Sequence, residues 1–114
     1  MIIDSHGHYT TLPPAIDAWR SRQIAELARP AKGSIKVSDD EIRESLENGQ
    51  IKRLRERGTD KMFFSPRASS MGHHFGGEQI SLYWTQHCNE LIARVISLYP
   101  DDFVPVCKLP QSPG

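Results

Sequence analysis

The chain has 114 residues, of which 38% are hydrophobic and 25% charged, with 14 basic and 14 acidic side chains. That length allows one domain, residues 1–114, with a modest core, and the composition is that of a folded globular chain rather than a disordered one. The charge balance supplies no global field for nucleic acid or an anionic membrane, and no apolar run approaches the roughly 20 residues that span a bilayer.

The chain opens with Ile2-Ile3 and then Asp4, the pattern of a short buried strand over residues 1–5 that stops at a polar edge. Leu12-Pro13-Pro14 breaks it, and Pro14 suits the first turn of a helix whose weak stripe is Ile16, Trp19, Gln23 and Leu27. Residues 31–37 read as a linker. Ser38-Asp39-Asp40-Glu41 is a capping box ahead of Ile42 and Leu46. The helical phase slips at Asn48-Gly49 and resumes at Ile51 and Leu54, which predicts a kink or two helices ending at Gly58 in a left-handed cap. The basic run Lys52, Arg53, Arg55 and Arg57 is interrupted by Glu56 and reads as a solvated helix face.

Lys61–Ser65, centred on Met62-Phe63-Phe64, is a continuous apolar run of strand length, as in a parallel sheet covered on both faces. A loop of Ser, Gly and His residues follows. Ile80, Trp84, Cys88, Leu91, Ile92, Val95, Ile96 and Tyr99 then hold one helical face up to Pro100. Phe103–Leu109 reads as a third strand. Strands alternating with helices predict parallel βαβ units with right-handed crossovers. Cys88 and Cys107 have no metal or redox spacing and both lie in apolar segments, so buried free thiols in a reducing compartment are expected. Asp4 and His6 interrupt any leader-like apolar stretch, and the expected location is cytoplasmic.

The chemistry concentrates in Asp4-Ser5-His6-Gly7-His8. On an extended backbone residues two apart face one side, so His6 and His8 present both imidazoles in one direction. The pair closes the first strand of a βα chain, where barrel enzymes place their active sites. A metal-ligand pair is the reading this favours over two unrelated surface histidines.

A first strand ending in His-X-His resembles the amidohydrolase superfamily. The run from Met1 to Thr10 is similar to the start of the 4-oxalomesaconate hydratases. The likeness continues through Ser38–Arg43, Glu56–Asp60, Phe64–Ser69, Cys88–Val95 and Leu109–Pro113, in order and over almost the whole chain. The resemblance implies an α/β fold: the N-terminal portion, about three βα units, of a TIM-type (β/α)8 metal-dependent hydrolase barrel. Roughly 38 residues per unit extrapolate to roughly 300 for eight, a plausible barrel length.

The resemblance further implies hydration of 4-oxalomesaconate to 4-carboxy-4-hydroxy-2-oxoadipate in protocatechuate and gallate ring cleavage. Zinc, or another divalent metal, would be held by His6 and His8. The remaining ligands and the catalytic acid/base group would lie beyond Gly114. Such a small-molecule polycarboxylate needs cationic donors, and Arg67 leaves the second strand after Ser65-Pro66 towards the same mouth. Ser65, Arg67 and His73 are the expected substrate-binding residues; of His73 and His74, at most one faces the site. A decarboxylase of the same superfamily, acting on an aromatic or muconate-type acid, is the alternative within the class. An inactive, self-associating module is the alternative outside it. Three strands leave both sheet edges bare, so a homo-oligomer is expected, with neither nucleic acid nor membrane as partner.

Overall fold

The computed structural model describes residues 1–67 and 75–111. Its elements run β1 (Ile3–His8), α1 (Pro14–Ala25), α2 (Asp39–Glu47), α3 (Gln50–Glu56), β2 (Lys61–Ser65), α4 (Glu78–Leu98) and β3 (Phe103–Pro105). The strands form one sheet in the order β1-β2-β3, and both pairings are parallel, as the alternation of strands and helices predicts. No described helix is long and apolar enough to cross a membrane.

Alternation along the strands divides the sheet into two faces. Met62, Phe64 and Phe103 are buried beneath the helices, with Phe64 stacked on Phe103 at 4.4 Å between centroids. Phe63, opposite Val104 in register, points the other way and is 38% exposed. The core therefore lies between the sheet and α4, whose stripe buries Ile80, Trp84, Cys88, Leu91, Ile92 and Val95 as its spacing predicts. Trp84 stacks on Trp19 of α1 at 4.9 Å.

Between α1 and α2 the chain has no regular structure but is tied down. Trp19 Nε1 donates to Lys32 O at 2.8 Å, Gln23 donates to Ala31 O, and Arg94 Nη2 donates to Val37 O at 2.9 Å. This tethering explains why α1 ends at Ala25, short of Leu27, which is left partly exposed. The Ser38–Glu41 capping box forms in full. At Asn48-Gly49 two helices form, not a kink. A Cβ on Gly49 would lie 2.8 Å from Thr11 Cγ2 and 2.9 Å from Ser45 O, so the chain from β1 reaches α2 only past a glycine. Gly58 takes the expected left-handed φ of 63°.

Two expectations need correction. β1 extends to His8 rather than stopping at residue 5, so the histidines belong to the strand itself. β3 holds only three residues, Phe103–Pro105, and the chain beyond it leaves the sheet. Cys107 is consequently exposed, and Cys88 alone is a buried thiol. Burial pushes the Cys88 thiol up to about 12.

Candidate active site

The ends of β1 and β2 meet where His8 pairs in register with Ser65 and Gly7 with Phe64. The register shifts between Asp4 and Gly7, and the His6 N–H donates to Asp4 Oδ1 at 3.0 Å within that irregular stretch. Gly7 makes the close approach possible. A Cβ there would lie 2.5 Å from both Met62 Sδ and the Phe63 carbonyl oxygen, contacts that no side chain tolerates.

The outcome is a convergent pair. His6 Nε2 and His8 Nε2 are 2.9 Å apart, with the rings nearly perpendicular at 84°. His8 Nδ1 lies 2.5 Å from Ser65 Oγ, and Ser65 Oγ donates to Gly7 O at 3.0 Å. Gln50, buried at the start of α3, secures the chain just past the pair: its Nε2 donates to His8 O at 3.1 Å and to Thr10 Oγ1 at 2.7 Å. Thr11 Oγ1 completes the clamp, 2.7 Å from Gln50 Oε1 and 2.9 Å from Ser45 O, with one proton to share between them.

The donor set can be tested against a divalent ion. Two imidazole nitrogens at about 2.0–2.1 Å from one zinc stand roughly 2.8–3.0 Å apart at a coordination angle of about 90° and roughly 3.3–3.4 Å apart at the tetrahedral angle of about 109°. The observed 2.9 Å matches the spacing at about 90° and is shorter than the tetrahedral one. Among the described residues, no cluster of three or more His, Cys, Asp or Glu side chains forms around a common point.

Beside the pair, between β1 and α3, lies a cleft of about 190 Å³ lined by Asp4, His6, His8, Gln50, Arg53 and Arg57 among others. Arg53 and Arg57 thus flank the histidines as well as forming the solvated helix face expected of them. Arg67 lines a different, narrow cavity of about 10 Å³ with Tyr9, Leu12, Pro66 and Trp84. The described structure does not bring it into the histidine cleft. His73 lies outside the described residues. Tyr9, which follows the pair directly, is fully buried. Ser45 Oγ donates to Ile42 O, so the Tyr9 hydroxyl donates to Ser45 Oγ, and burial raises the phenol above its ordinary range.

Ser65, expected from sequence as a substrate contact, has its hydroxyl against His8 Nδ1 and the Gly7 carbonyl. Sequence reasoning missed Gln50 altogether. A glutamine at a helix start carries no spacing signal, and its partners lie about 40 residues away in sequence.

No family model matches the chain. A 2-keto-4-carboxy-3-hexenedioate hydratase from Sphingobium sp. is 52% identical over 115 aligned residues, which cover 99% of this chain and 34% of that protein. The crystal structure of 4-oxalomesaconate hydratase from Rhodopseudomonas palustris superimposes with a TM-score of 0.89 at 47% identity, covering 100% of this chain and 35% of that one. The chain is therefore similar, from end to end, to about one third of the length of proteins named as 4-oxalomesaconate and 2-keto-4-carboxy-3-hexenedioate hydratases.

Proposed function

We propose that this chain supplies the first metal ligands of a divalent-metal hydratase that adds water to 4-oxalomesaconate in aromatic-ring catabolism. The observation that carries the reading is the His6–His8 pair, with Nε2 atoms 2.9 Å apart at the end of β1, in a chain 47–52% identical to hydratases. The superfamily decarboxylase considered from sequence has no comparable support, since both relatives bear hydratase names. The wider fold is a TIM-type amidohydrolase barrel, with the other ligands and the acid/base group outside these 114 residues.

His6 and His8 would hold the ion, zinc by preference for imidazole donors in a low-coordinate site. Once bound, it would lower the pKa of water towards about 7 and polarise substrate oxygens. The work of this chain is to aim and hold. Ser65 and Gln50 fix the position of His8 and its carbonyl, and Gly7 lets β1 close upon β2. Arg67 leaves β2 at the same end of the sheet and is the proposed clamp for a substrate carboxylate.

The test is a hybrid in which this chain replaces the matching third of the Rhodopseudomonas palustris hydratase. Hydration removes the conjugated absorbance of 4-oxalomesaconate, and its decay reports turnover. The hybrid should turn over, while the 114-residue chain alone should show no measurable activity. Arg67→Ala in the hybrid should lower kcat/KM by about 10–1000-fold without removing the metal. A hybrid whose activity survives His6→Ala would contradict the proposal.

A further inference from the structure

We infer that Ser65 is a positioning residue that fixes His8 in a single neutral tautomer, with the proton on Nδ1 and the lone pair of Nε2 turned towards His6. Ser65 Oγ stands 3.0 Å from Gly7 O and 2.5 Å from His8 Nδ1. A carbonyl oxygen only accepts, so the single hydroxyl proton of Ser65 goes to Gly7 O. The oxygen of Ser65 then has only lone pairs to offer His8, which must donate Nδ1–H. That leaves His8 Nε2 unprotonated, with His6 Nε2 2.9 Å away.

The hydrogen bonds therefore run in one direction, from His8 to Ser65 to the Gly7 carbonyl, each proton being used once. The relay starts and ends on β1 and passes through β2, so it depends on the His8–Ser65 register and on the close approach at Gly7. Reversing the Ser65 hydroxyl would place two acceptors against each other at the Gly7 carbonyl.

The role assigned to this relay rests on the divalent-cation reading above. Imidazole ligands are commonly oriented by a partner on the ring nitrogen away from the metal. Here that partner is a serine hydroxyl, and it presets on His8 the lone pair that a cation takes.

Long-range ¹H–¹⁵N correlation spectra of the metal-free, ¹⁵N-labelled chain test this directly. His8 should show a protonated, pyrrole-type Nδ1 and a pyridine-type Nε2. Ser65→Ala should abolish the fixed pattern at His8 and weaken zinc binding by about 10–100-fold, the usual effect of losing an orienting partner. Ser65→Thr, which keeps the hydroxyl, should restore both, a rescue that a merely structural role for the side chain would not require. A wild-type His8 with a pyridine-type Nδ1 overturns the inference whatever the variants do. So does a Ser65→Ala chain, shown folded by its backbone amide spectrum, that keeps the wild-type pattern. Failure of the metal reading looks different: the tautomer would be as stated while the wild-type chain and the hybrid both ignored zinc.

Discussion

The two faces of the sheet are made of neighbouring residues yet obey different rules. On the helix-covered face Met62, Phe64 and Phe103 disappear beneath α4 and its aromatic partners, so shape and apolar area decide what is tolerated. On the other face Ile3 and Phe63 stay partly exposed, and the ordered contacts are polar ones between β1 and β2 ending at His6, His8 and Ser65. One face is held by bulk that many sequences supply. The other is held by a few directional bonds that depend on register. Substitutions should therefore act as stability changes on the first face and as binding changes on the second.

The largest effect tests the contrast within a single strand. Phe64→Ala should cost about 3–5 kcal/mol in urea unfolding, because it empties a closed site between Tyr9 and Phe103. Phe63→Ala, one residue away and 38% exposed, should cost at most about 1.5 kcal/mol. Equal costs would dissolve the distinction between the faces. Gly7→Ala comes next. Its Cβ would sit 2.5 Å from the Phe63 carbonyl, and relieving that contact should cost about 1–3 kcal/mol as β1 moves off β2. The same shift should disperse the His6–His8 pair, so zinc affinity should fall further than for Phe63→Ala.

A chemical probe sharpens the comparison at lower cost to the fold. Cys107 is exposed past the end of β3, whereas burial holds the Cys88 thiol up at about 12, protonated at pH 8. A thiol reagent at that pH should label one cysteine per folded chain quickly and the second only on unfolding. Rapid labelling of both would mean that α4 is not packed as described. The smallest effect lies at the start of α2. Ser38→Ala should cost about 1 kcal/mol by removing the cap. The Ser38 backbone N–H, and then its hydroxyl, hold the Glu41 carboxyl below its ordinary range. The contribution of that pair is thus fully present above the ordinary carboxylate pKa and fades as pH falls through the lowered folded value.

What the sequence shows follows the same division. The α4 stripe, the capping box, the Gly58 cap and the parallel order are legible because periodicity and turn chemistry are local signals. The convergence of His6 and His8 is legible too, since alternation alone turns both rings to one side. The register shift at Asp4–Gly7, the burial of Tyr9, the Gln50 clamp and the engagement of Ser65 are not. Each is decided by a partner far along the chain. Pro105 and the early end of β3 show the reverse failure: an apolar run long enough for a strand pairs over only three residues, leaving Cys107 outside.

The central claim is that His6 and His8 together hold one divalent ion. Zinc counted per polypeptide after exhaustive dialysis, in the hybrid with the Rhodopseudomonas palustris hydratase, tests it most directly. The account predicts about one equivalent for the parent hybrid, falling to background in both His6→Ala and His8→Ala while the fold persists by circular dichroism. A folded double variant, with both histidines replaced, that still retained a full equivalent of zinc would contradict it.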